Sequence, residues 1–216
     1  MHERASLAHA LNNKELIFWD FDGVIKDSVN CKSDAFQEIF SRNSANILEK
    51  IKTHHMKNGG VSRYEKIPLY MKWSSVKYTP EKFEKYCNEF SKIVVNQVIK
   101  SQWVPGIQKF LATKSHNYIN IITTATPDDE IKRIIKTLMI ENYFQFVSGS
   151  GTSKKKCIKN MLSKCNIRPE KAIMIGDSLH DFEAARYNEI DFILRKTDYN
   201  SELISQRRLN YFENFL

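Results

Sequence analysis

With 216 residues, of which 42% are hydrophobic, the chain can build one α/β domain with a sizeable insertion or two small domains, each with a core. Only seven glycines and five prolines, with no low-complexity tract and no internal repeat, exclude long disordered linkers and repeat architectures. The formal charge of +8 raises the question of nucleic acid, but the lysines are scattered apart from the run 154–156 and no recognised binding motif accompanies them, so nucleic acid is not an expected partner.

The opening MHERASLAHALNN has no apolar h-region, and no stretch approaches about 18 consecutive apolar residues, so the expectation is a cytoplasmic protein with no membrane span. The first apolar run, 16–19, ends in Asp20 and Asp22, one residue apart and followed by Gly23. A strand apolar on both faces belongs in the middle of a parallel sheet, and its carboxyl end is where open α/β folds place ligands. Taken alone, D-x-D-G is equally an Asx turn, a helix cap or a site.

The stretch 28–103 reads as helical. In PEKFEKYCNEFSKIVVNQVI, Phe83, Tyr86, Cys87, Phe90, Ile93, Val94 and Val98 recur at helical spacing, a stripe that belongs in a core. Pro80 suits the first helical position, and V-P-G at 104–106 marks the return to the sheet. His54 and His55 read as a polar turn, and Trp19 and Trp103 as packing residues. Four more apolar runs follow, at 119–123, 146–148, 172–175 and 192–194, alternating with helical patterns at 106–114, 128–139, 155–165 and 181–188. This alternation predicts an α/β fold with a doubly wound parallel sheet, formed by 1–27 and 104–216, into which the helical segment 28–103 is inserted. Cys31, Cys87, Cys157 and Cys165 show neither C-x-x-C spacing nor a paired Cys/His pattern and read as reduced packing residues.

Three later stretches join Asp20 and Asp22. IITTATP ends a strand with Thr124, Ala125 and Thr126, a hydroxyl and N–H groups suited both to capping a helix and to holding an anionic oxygen. GTSKKKCIKNML sets lysines at a helix start. IMIGDSLHDFEAA ends a strand with Gly176 and Asp177, and Asp181 follows four residues on, able to share a face.

In this order the motifs resemble those of the haloacid dehalogenase superfamily of phosphohydrolases: D-x-D, a Ser or Thr closing a strand, a Lys, and G-D-x-x-x-D. The resemblance spans nearly the whole chain and implies a Rossmann-like core with a helical type-1 cap. It implies Asp20 as the nucleophile that forms an aspartyl-phosphate, Asp22 as the acid and then base, and Thr124, Ala125 and Lys154 as holders of the phosphoryl oxygens, with Lys155 the alternative lysine. It further implies Mg²⁺ held by Asp20, the main-chain carbonyl of Asp22, and Asp177, with Asp181 supporting that shell. A cation is needed on physical grounds too, since at about 4 Å and an effective dielectric near 20 each like-charge pair costs on the order of 4 kcal/mol.

Within the inserted segment, Gly60-Val61-Ser62-Arg63 resembles the G-V-S-R stretch of the β-phosphoglucomutase branch, which implies that Arg63 grips a second anion on the substrate; the plain alternative is a surface arginine. Two positions depart from that branch: Gly176 stands where it has an acidic metal ligand, and Lys32 where it has a hinge His. The expected activity is a Mg²⁺-dependent phosphatase acting on a small phosphate monoester, a sugar or sugar-acid phosphate. A phosphomutase and a nucleotide phosphatase are the alternatives, and the oligomeric state is left open.

Overall fold

The structure, a computed structural model, describes residues 6–58 and 61–216. Gly60 of the G-V-S-R stretch lies outside them. Six parallel strands form one sheet in the order β5-β4-β1-β6-β7-β8. They are β1 (Leu16–Trp19), β4 (Ile119–Thr123), β5 (Phe146–Ser148), β6 (Ala172–Gly176), β7 (Asp191–Arg195) and β8 (Tyr211–Phe212). A separate antiparallel ribbon pairs β2 (Lys26–Asp27) with β3 (Gln102–Trp103). Helices α1 (Leu7–Ala10), α6 (Ile107–Lys114), α7 (Asp128–Thr137), α8 (Lys154–Cys165), α9 (Leu179–Tyr187) and α10 (Ser201–Arg207) accompany the sheet. Between β2 and β3 the chain is helical: α2 (Val29–Ile39), α3 (Ala45–Lys57), α4 (Arg63–Trp73) and α5 (Pro80–Lys100).

β1 is central because all four of its residues are apolar, and side chains alternate between the faces of a strand. Leu16 and Phe18 pack with Ile158 of α8 and Ala184 of α9, while Ile17 and Trp19 join the larger core that includes Ile107 and Leu111 of α6. Phe18 pairs with Ile121 of β4 on one side and Met174 of β6 on the other. Because chain order reverses across β1, the sheet has its switch point there, and the ends of β1, β4 and β6 open onto one crevice. The indole N–H of Trp19 donates to Asn120 Oδ1 at 3.0 Å, so the buried ring carries no orphan donor.

The ribbon is where the helical segment leaves and rejoins the sheet: Lys26 pairs with Trp103, and the Val104 N–H donates to the Ile25 carbonyl at 3.1 Å. Inside the insertion, Phe36 meets Phe90 with ring centroids 4.2 Å apart and Tyr70 at 5.0 Å. The α5 stripe is core as expected, with Phe90, Val94 and Val98 buried. His54 and His55, by contrast, are not a turn: α3 continues through both to Lys57, because Ile51 and His55, four residues apart, share its buried face.

The five expected strands form, with β6 and β7 slightly longer than their apolar runs. Helix α9 begins at Leu179 rather than 181 because Ser178 and Asp181 close a capping box ahead of it. β8 was not expected, since two residues carry no period. No helix among the described residues is long and apolar enough to cross a membrane.

Candidate active site

Asp20 follows β1, Thr124 follows β4 and Asp177 follows β6, so three strand ends deliver the expected residues to one crevice. The Asp20 N–H donates to the Ile175 carbonyl at 2.9 Å, which extends the sheet one step and holds the residue in line with the strand. Its Oδ1 accepts from the Phe21 N–H at 2.8 Å and meets Lys154 Nζ at 2.9 Å. Asp20 Oδ2 has no hydrogen bond among the described residues. The chain then turns at Gly23, whose φ is +79° and where a Cβ would overlap the Asp177 carboxylate, so glycine alone fits on both counts.

Lys154 opens α8 and bridges Asp20 and Asp181, reaching Asp181 Oδ1 at 2.5 Å. Asp181 Oδ2 is taken by the Ser178 N–H at 3.0 Å and hydroxyl at 2.6 Å. Both Asp181 oxygens are therefore committed to positioning other groups. Lys155 instead lies over the ring of Tyr187 at 5.6 Å. Gly176 has no space for a side chain, because Asp181 occupies the volume a Cβ would need.

These carboxylates are buried together and repel. Burial and the nearby Asp181 push the Asp20 carboxyl up to about 7, Lys154 opposing. Burial and Asp20 raise Asp177 well above the ordinary carboxylate range. Burial works against the Lys154 ammonium, but Asp181 and Asp20 outweigh it and keep the group protonated. Asp20, Asp177 and Asp181 each offer an oxygen within 4.8 Å of the others. Crowded hard oxygens, with no His or Cys among them, suit Mg²⁺ rather than a softer ion.

Asp22 is held differently. Ser28 Oγ donates to Oδ1 at 2.5 Å, while Lys32 Nζ and Thr126 Oγ1 donate to Oδ2. Burial pushes its carboxyl up, but Lys32 and these hydrogen bonds outweigh burial and hold it below the ordinary range. Ser28 and Lys32 were not predicted as partners of Asp22. Their spacing along 22–32 carries no period, and only the bend into α2 brings them to it. Thr124 Oγ1 accepts from the Thr126 N–H at 3.2 Å, which leaves its own hydrogen to donate.

Asp20, Asp22, Thr124, Ala125 and Asp177 line a cavity of about 20 Å³, roofed by Lys32 and His55 of the insertion. That is room for about one water. A cleft of about 320 Å³ shares Thr124 and Ala125 with it and runs between Lys154 and the α4 end of the insertion. The insertion is thus closed on the sheet. Arg63, expected to reach substrate, is turned elsewhere: Nη1 and Nη2 donate to the two carboxylate oxygens of Glu130 on α7 at 2.8 and 2.5 Å. Ser91 of α5 donates to the same carboxylate at 2.6 Å, and the guanidinium stacks on Phe90. A planar fork facing a buried carboxylate pairs with it in preference to staying desolvated and alone.

Over residues 17–195 the chain matches the family described as haloacid dehalogenase-like hydrolase. It is 27% identical to a phosphorylated carbohydrates phosphatase of Thermotoga maritima, over 83% of each chain. To a phosphoglycolate phosphatase of Nitrosococcus oceani it is 28% identical, over 88% of this chain and 87% of the other. Among solved structures, β-phosphoglucomutase from Clostridium difficile superposes with a TM-score of 0.71 at 19% identity, over 94% of this chain and 92% of that one.

Proposed function

The chain belongs to the haloacid dehalogenase-like hydrolase family, and we propose that it is a Mg²⁺-dependent phosphatase acting on a small phosphorylated carbohydrate or sugar acid through an aspartyl-phosphate. The observation that carries this is the unbonded Oδ2 of Asp20 in a cavity shared by Thr124, Ala125 and Asp22. Asp20 Oδ2 attacks phosphorus while Oδ1 stays anchored by the Phe21 N–H. The Thr124 hydroxyl, the Ala125 N–H and Lys154 hold the equatorial oxygens, where charge is stabilised during transfer. Asp22 protonates the leaving oxygen and then, ionised, draws the proton from the water that attacks the aspartyl-phosphate. Mg²⁺, when held by Asp20, the Asp22 carbonyl and Asp177, neutralises charge between carboxylates and phosphate. The names of the carbohydrate and glycolate phosphatases among its relatives support the substrate class.

The test is phosphate release from sugar phosphates, sugar-acid phosphates and nucleotides, with and without Mg²⁺, in wild type and Asp20→Asn. Mg²⁺-dependent turnover of a sugar-type class, lost in Asp20→Asn, is the expected result. A preference for nucleotides, or release that persists in Asp20→Asn, overturns the reading. The likeness of the fold to β-phosphoglucomutase supports a second reading, transfer of the phosphoryl group to another sugar hydroxyl; ³²P recovered in a sugar rather than in free phosphate marks that outcome.

A further inference from the structure

Of the carboxylates proposed to hold Mg²⁺, Asp20 is oriented through its own side chain, by the Phe21 N–H and Lys154. The Asp177 carboxylate has no hydrogen bond or ion pair among the described residues. Gly23 bounds it on one side, where a Cβ would stand 2.1 Å from Oδ2, but a cleft of about 250 Å³ also borders the residue and leaves it room to shift. Where this side chain points is therefore decided by its backbone. The peptide unit that joins Asp177 to Ser178 is tied at both edges: the Ser178 N–H donates to Asp181 Oδ2 at 3.0 Å, and the Asp177 carbonyl accepts from Asn200 Nδ2 at 2.9 Å. A peptide unit is planar, so ties at opposite edges fix its rotation and with it the direction of the Asp177 side chain.

Asn200 stands just ahead of α10, in the turn that follows β7, and is only 6% exposed. Its amide has two hydrogens and an oxygen to place, and all are used. Nδ2 donates to the carbonyls of Asp177 and Arg195, each at 2.9 Å, and Oδ1 accepts from the Thr197 N–H at 2.9 Å. Arg195 ends β7, which pairs with β6 up to Gly176, so the amide clamps together the ends of two neighbouring strands. The side chain makes no bond to the first turn of α10, so capping that helix is not its task. The far side of the turn is anchored independently, since Ile204 and Leu209 pack with Leu194. We propose that Asn200 is a positioning residue for Mg²⁺ binding, holding the Asp177 backbone so that its otherwise unattached carboxylate stays beside Asp20 and Asp181. This rests on Asp177 being a metal ligand in the phosphatase reading, and it gives the turn after β7 a part in the site.

The test is calorimetric titration of Mg²⁺ into the full chain without substrate, so that it reads binding and not turnover. Asn200→Ser keeps a residue suited to the start of a helix and removes the amide, while Asn200→Ala removes every polar group of the side chain. Both weaken Mg²⁺ binding about 10–100-fold, as loss of a partner that orients a metal ligand does. Asp177→Ala abolishes it. Ile204→Ala is the control: it loosens the packing of α10 with Leu194 and lowers the urea midpoint of the metal-free protein, yet binds Mg²⁺ as wild type does. Wild-type affinity in Asn200→Ser overturns the proposal, and so does a loss in Ile204→Ala as large as that in Asn200→Ser. Full affinity in Asp177→Ala overturns it too, by removing the ligand through which Asn200 acts. Phosphate release absent from every substrate, with Mg²⁺ affinity still lost in Asn200→Ser, defeats the phosphatase reading and leaves the positioning role in place.

Discussion

The two sides of the crevice are built by different rules. On the sheet side, Asp20, Thr124 and Asp177 stand where strands end, so backbone pairing alone sets their spacing. On the insertion side, Lys32 and His55 come from two helices, and Arg63, on a third, faces Glu130 instead. The insertion side is held by side-chain pairs instead, so its cations can be repacked without disturbing the strands.

The largest effect expected from breaking this division is on the sheet side. Asp20→Asn lowers phosphate release by at least about 10⁴-fold, as loss of a covalent nucleophile does. Circular dichroism and urea unfolding stay close to wild type, because the change also removes one of three repelling carboxylates. A variant that keeps a tenth of its activity would move the nucleophile elsewhere.

Next is the tie between the two sides. Arg63→Met strands the Glu130 carboxylate with Ser91 alone and costs about 3–5 kcal/mol in urea unfolding. Adding Glu130→Met recovers most of that loss, since a buried pair of apolar side chains needs no partner. A double-mutant cycle with no coupling would mean that the ion pair does not hold the insertion.

Lys154→Met follows, with kcat expected to fall about 10²–10³-fold under the proposed role of its charge in holding the phosphoryl oxygens. Without its ammonium, Asp20 and Asp181 face each other uncompensated, so the variant depends more steeply on Mg²⁺ for thermal stability than wild type. Equal Mg²⁺ dependence in the two proteins would place the compensating charge elsewhere.

The smallest effect belongs to the interior of the insertion, at Lys66. Burial lowers Lys66 from its ordinary 10.5 to about 7. Between those values the unfolded chain holds a proton that the folded chain has released, so stability rises with pH across the window. In Lys66→Met that rise disappears, and at pH 7 the variant is more stable by about 1–4 kcal/mol. Urea midpoints at pH 7 and pH 9, taken without ligand, check both statements.

Much of the sheet was legible because its strands are short apolar runs closed by polar residues, a pattern that local chemistry writes directly into the chain. The choice between Lys154 and Lys155 was not legible. It depends on which of two adjacent residues on α8 points at Asp181 rather than at Tyr187. Ser28 and Thr126 also escaped notice as partners of Asp22, because 104 residues separate Thr126 from Asp22 and only the pairing of β1 with β4 brings them together.

The histidine pair shows the limit most clearly. Adjacent polar residues before a glycine-rich stretch read as a turn, and only the packing of α3 through Ile51 carries His55 into the interior. The amino-acid sequence by itself determined the alternation of strands and helices and the set of carboxylates at the strand ends, because apolar periodicity and strand termini are local properties. Tertiary structure alone decided which carboxylates the cations of the insertion meet, Lys32 with Asp22 and Arg63 with Glu130, because the partner of a long side chain is set by whatever distant surface folds against it.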